Sequence, residues 1–164
     1  MSLLPLTALP VALNATLALA ETTWQLAVNA LEGDALARWQ AWPDARQQAF
    51  ARVSAASDLV SEQASRDPLM LLDLADSGEL ERSLAPGELR EQLHAALAAC
   101  THEDELARLL RRLRNRQQLR IIWRDVNRLA ELRETCADLT ATAEACIDLA
   151  SVRLYAQHCV QFGT

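Results

Sequence analysis

The chain has 164 residues, 22 acidic side chains and 16 cations, for a net charge of −6. Ala and Leu contribute 30 residues each, against 4 Gly and 4% aromatics, a balance that favours helix over sheet. All the cations are Arg, and the acidic total argues against nucleic acid as a partner.

The apolar N-terminus, MSLLPLTALPVALNATLALAETTW, lacks a basic leader and is broken by Pro5, Pro10 and Asn14. It reads as an amphipathic first helix, not a signal peptide or a membrane span. Pro10 suits a first turn, and Leu13, Leu17, Trp24, Val28 and Leu31 follow at helical spacing. Gly33 stops that helix and Asp34 is placed to cap the next, which carries Leu36 and Trp39. Trp42-Pro43 ends it, and Pro43 opens a third helix with Ala49, Val53, Ala56, Val60 and Ala64 as its stripe. Asp67-Pro68 reads as a cap and first turn of a short helix that Gly78 closes, with one further turn at 79–84. After Ala85-Pro86-Gly87 a helix from Pro86 to Cys100 places Leu89, Leu93 and Leu97 inside.

The stretch from Leu106 to Arg128 dominates the rest. Arg108, Arg112, Arg116, Arg120, Arg124 and Arg128 recur every fourth residue, and the segment holds eight Arg against one acid, Asp125. Thr101, Asp104 and Glu105 provide a cap with acids at the positive helix end. No Gly or Pro interrupts, so one helix is predicted over residues 102–133, roughly 48 Å long, with Leu119, Ile122, Trp123 and Val126 buried. Each four-residue step drifts about 40°, so the ladder winds about halfway round the helix and no single face holds all six arginines. Two uses of it stand side by side. Pairing with Asp and Glu of neighbouring helices would make it scaffolding. An exposed face at Arg112, Arg116, Arg120 and Arg124 would meet an anion or an acidic partner. A weak break is expected at 135–139, then a last helix with Leu139, Ala143, Ile147, Ala150 and Leu154 on one side. The pattern as a whole predicts an all-α, multi-helix subdomain spanning residues 1–164 and organised on the arginine helix.

The chemical inventory is thin. The four glycines are unclustered and there is no Asp-x-Asp pair. Glu79 with Glu81, and Glu103 with Glu105, diverge on a helix surface. His94, His102 and His158 lack the companions of a zinc site, and Ser61 and Ser65 lack a histidine at helical spacing. Catalytic, cofactor-binding and metal residues are therefore expected to be none. The four cysteines, Cys100, Cys136, Cys146 and Cys159, show no paired spacing and are expected to be reduced thiols in a cytoplasmic protein.

The segment LLRRLRNRQQLRIIWRDV (Leu109–Val126) resembles the arginine-rich helix, ending R-I-x-W-R-D, of the bifunctional glutamine synthetase adenylyltransferase/adenylyl-removing enzymes. The resemblance extends to ASDLVSEQASRDPLMLLDL (Ala56–Leu74), AEACIDLA (Ala143–Ala150) and LYAQHCVQFGT (Leu154–Thr164), and so covers most of the chain from about Trp42. It implies the N-terminal helical part of the adenylyl-removing domain. Enzymes of that family transfer AMP from ATP to a tyrosine of glutamine synthetase and remove it by phosphorolysis, with magnesium and under nitrogen-signalling regulatory proteins. Their glycine-rich segment and S-D-x-D carboxylates follow the Phe-Gly-Thr motif and are not matched here, so no catalytic residue carries over. The chain is then expected to be an inactive fragment of a larger enzyme. The competing reading is a stand-alone helical interaction module with an anion-binding arginine face.

Overall fold

A computed structural model describes residues 14–97, 100 and 102–163. Pro10, Leu13 and Thr101 lie outside the described residues. Among the described residues there are eight helices and no strand, so the fold is all-α. They are α1 (Asn14–Asn29), α2 (Gly33–Gln40), α3 (Asp44–Ala56), α4 (Asp58–Arg66), α5 (Pro68–Asp76), α6 (Glu88–Leu97), α7 (Glu103–Val126) and α8 (Leu132–Phe162).

Helix α7 sits between two apolar clusters. On one side it packs against α3, α4 and α5, which together with α1 and α2 form the larger core. On the other it packs against α6 and α8. The larger core is aromatic at its centre. Trp24 meets Trp39 and Phe50 edge-on at 4.9 and 4.7 Å between centroids, and Phe50 lies nearly parallel to Trp123 of α7 at 6.4 Å. These rings add specific edge contacts to their buried area. Leu119 and Trp123 are buried there, and Ile122 and Val126 are half-buried against the same cluster. The smaller core joins Leu89 and Leu93 of α6 to Ala145 and Leu149 of α8.

Several boundaries differ from the sequence reading, each for a local reason. The arginine helix stops at Val126 and does not run to residue 133. The Asn127 side-chain amide donates to the Trp123 carbonyl at 3.0 Å, and Arg52 grips the Asn127 Oδ1 at 2.9 and 3.1 Å. Arg128 then turns into the left-handed region at φ 57, letting the Leu129 N–H reach back to the Arg124 carbonyl at 2.8 Å. That is the work a C-terminal Gly usually does, carried out without one. Helix α8 begins at Leu132 and continues through 135–139 without a break.

The predicted third helix is two helices. Ser57 is extended at φ −148, ψ 108, and its hydroxyl accepts from the Val60 N–H at 3.4 Å, so it caps α4. Asp34 does not cap α2; it lies in the first turn behind Glu32, with Gly33 at φ 55. Asp67 caps α5 as expected, accepting from Met70 N–H at 3.1 Å. The expected turn after Gly78 forms, with the Glu81 and Arg82 N–H groups donating to the Gly78 carbonyl at 3.2 Å, but it ends by Arg82, residues 83–85 are irregular, and α6 begins at Glu88, not Pro86.

The face of α8 that carries Leu139, Ala143 and Ile147 does not enter a core. Thr142, Ala145 and Leu149 do so instead, while Leu139, Ala143 and Ile147 are exposed, Ile147 by 64%. Leu132 (76%), Val152, Tyr155 (71%), Val160 and Phe162 are exposed on the same helix.

Candidate functional site

The arginine ladder divides where α7 enters the protein. In its N-terminal half Arg108, Arg111, Arg112 and Arg114 are exposed. Further along, Arg116, Arg120 and Arg124 reach inward to one target, the connection between α5 and α6 at residues 77–87. A connection of this kind carries backbone carbonyls that no helix satisfies, and buried carbonyls require donors. The guanidinium, with five N–H groups in a fixed fork, supplies several at once.

Arg120 is fully buried, at 0% exposure. Its Nε donates to the Glu79 carbonyl at 3.2 Å, its Nη2 to the Arg82 carbonyl at 3.2 Å and its Nη1 to Asp138 Oδ2 of α8 at 2.6 Å. Arg124 works one turn on through a single nitrogen. Its Nη2 donates to Ser83 Oγ at 3.2 Å, the Leu129 carbonyl at 2.9 Å and Glu134 Oε1 at 2.8 Å, while its Nε and Nη1 are buried without a partner. Arg116 Nη2 donates to the buried Glu79 Oε2 at 3.1 Å. Ser83 Oγ also donates to Glu134 at 2.7 Å, and that bond, with Arg124 beside it, holds the Glu134 carboxyl below the usual carboxylate range. At the edge of the network Arg82 forks onto Glu88. Arg82 first, and the Ala85 N–H second, lower the Glu88 carboxyl to about 2.

Of the four arginines singled out as anion contacts, Arg116, Arg120 and Arg124 are thus brought together in internal pairs. Arg112 is not. It faces a cleft shared with Arg66, Asp67, Gln63, Met70 and Asn115, and no carboxylate among the described residues pairs with it. The acids that complete the network, Glu79, Glu134 and Asp138, were invisible to spacing because they sit 10 to 37 residues away on other elements.

No three His, Cys, Asp or Glu side chains among the described residues converge to hold a metal ion. The network's carboxylates, Glu79, Asp138 and Glu134, are each held by an arginine and do not converge, so the set does not fit a metal-dependent phosphoryl-transfer centre. All four cysteines are free thiols, and burial raises the Cys146 thiol above its usual value. No helix among the described residues is long and apolar enough to cross a membrane.

Fold and site together define an all-helical scaffold, in which buried arginines tie one connecting segment to the two longest helices. The family model for glutamate-ammonia ligase adenylyltransferase matches residues 47–164, and the chain belongs to that family. It is 58% identical over its whole length to the bifunctional glutamine synthetase adenylyltransferase/adenylyl-removing enzyme of Pseudomonas aeruginosa, and 56% identical to that of Pseudomonas syringae pv. tomato. The enzyme of Shewanella loihica is 39% identical over 76% of the chain. The chain spans 17% of the length of the two Pseudomonas relatives and 14% of the Shewanella one. No solved structure matches it.

Proposed function

We propose that this chain forms a helical section of a bifunctional enzyme that adenylylates and deadenylylates glutamine synthetase, the N-terminal part of its adenylyl-removing domain. The observation that carries the reading is the 58% identity along all 164 residues to an enzyme of that name. The chemistry belongs to polypeptide outside this chain: AMP transfer from ATP, its phosphorolytic removal, magnesium to neutralise the phosphoryl oxygens, and control by nitrogen-signalling proteins. The part played here is architectural. The buried arginines fix α7, α8 and the segment between α5 and α6 in one arrangement. The exposed apolar side of α8 then serves as the surface on which the remainder of the longer enzyme docks. A patch of that kind is costly to leave in water and marks an interface.

Among Arg112, Arg116, Arg120 and Arg124, it is Arg112, exposed and beside Arg66, that is placed to meet an anionic group of a partner. The test is release of ADP from adenylylated glutamine synthetase with magnesium and phosphate. The 164-residue chain alone is expected to be inactive, and a chain extended to the length of its relatives active. Metal-dependent turnover by the 164-residue chain itself would overturn the assignment of the chemistry.

A further inference from the structure

A cavity of about 480 Å³ opens between α6, α8 and the segment that joins α5 to α6. It borders the arginine network, whose Glu134 and Asp138 line its inner end. Leu84, Pro86, Leu89, Ala141 and Ala145 give it apolar walls. Gln117 of α7 lines it from within, is 1% exposed, and has an amide Nε2 with no hydrogen-bond partner among the described residues. A buried amide N–H without an acceptor is destabilising, and an apolar isostere would avoid that cost. The inner carboxylates, Glu134 and Asp138, are already neutralised by Arg124 and Arg120. The outer ones are not. Glu144 has no ion pair among the described residues, and Asp148 meets Arg90 only at 3.5 Å with both side chains more than half exposed.

We propose that this cavity binds an amphipathic monocation: an amide carbonyl that accepts from Gln117 inside, a short methylene chain along the apolar walls, and an ammonium at the Glu144 and Asp148 rim. Such pockets fix orientation with few polar groups set in apolar walls. The same chemistry occurs in N-acylated diamines and in a lysine side chain with its own peptide carbonyl. Nucleotides and other anions are disfavoured, because beyond the two carboxylates that Arg120 and Arg124 neutralise, the cavity lining adds Glu144 and Asp148 against Arg90 alone.

The test is calorimetric titration of the chain at low salt with four probes. N-acetylputrescine carries both features, N-butylacetamide lacks the charge, and putrescine lacks the carbonyl. N-acetyl-lysine-N-methylamide presents the pair from a peptide, and its affinity relative to N-acetylputrescine separates the two sources. At least one of the two complete probes is expected to bind about tenfold or more tightly than either deficient one. The Gln117→Leu variant is expected to weaken that probe to the level of putrescine while its melting temperature stays level or rises. Glu144→Gln with Asp148→Asn, both on the exposed surface, is expected to weaken it to the level of N-butylacetamide. Equal binding of complete and deficient probes, no binding of either complete probe, or full affinity in either variant overturns the proposal.

Discussion

Arg124 of α7 and Glu134 of α8 stand 2.8 Å apart across a turn of five residues, and the same arginine nitrogen takes the Leu129 carbonyl of that turn. One guanidinium therefore ties the ends of the two longest helices to the turn between them. Its Nε and Nη1 are nevertheless buried without acceptors, whereas all three nitrogens of Arg120 are engaged. Burying a cation with incomplete pairing stabilises less than burying one fully paired. Arg124→Ala is accordingly expected to destabilise the chain, but by less than Arg120→Ala. Urea unfolding of the two variants side by side checks this. The reverse order would mean that the Arg124 pair, not the Arg120 triad, carries the junction.

The outer face of α8 gives an opposite expectation. Leu139→Glu with Ile147→Glu removes apolar surface that touches no core, so the melting temperature should stay within about 0.5 kcal/mol equivalent of the parent. Self-association at high concentration, followed by light scattering, should decrease. In an enzyme of the relatives' full length the same pair should lower stability, because the face would there be covered. A large loss of stability in the 164-residue chain would show that this face is already packed.

Acid titration should expose the Arg82–Glu88 fork. The Glu88 carboxyl is lowered from 4.5 to about 2, and Glu134 is lowered as well. Both are depressed carboxylates, so the unfolded chain binds more protons than the folded one between those values. Their stabilisation is present above the ordinary carboxylate value and is lost as pH falls through the folded one. Stability should therefore decline from about pH 4.5 toward pH 2, with a shallower slope in Glu88→Gln. The fork is solvent-exposed, so added salt should flatten the slope further. An unchanged slope in the variant would mean that Glu88 titrates as it does in the unfolded chain.

Much of this fold was legible because local rules and tertiary packing agree. Pro43, Asp67-Pro68 and Gly78 mark real boundaries, and the four tryptophans are all core. The failures came where a side chain substitutes for the usual signal. Asn127 and Arg128 end α7 without glycine, and Ser57 divides a continuous apolar stripe by capping α4. Periodicity also found the Leu139, Ala143, Ile147 stripe correctly as one helical face but could not say what covers it. At the site, a wound ladder implied internal pairing for some arginines. Which acids would answer them depended on a helix junction that the spacing did not reveal.

A double-mutant cycle on Arg120 and Asp138 tests most directly whether the arginine helix is internal scaffolding. Arg120 is 0% exposed and lies 2.6 Å from the Asp138 carboxylate. Removing one partner of a buried pair commonly costs about 3–5 kcal/mol, because the other is left unpaired. Arg120→Ala and Asp138→Ala are each expected to destabilise the chain clearly. The double variant should cost less than the sum of the two, with a coupling of about 0.5–3 kcal/mol in urea unfolding. Additive effects, or an Arg120→Ala chain as stable as the parent but with weakened phosphate binding, would contradict the scaffold and return Arg120 to the role of an anion contact.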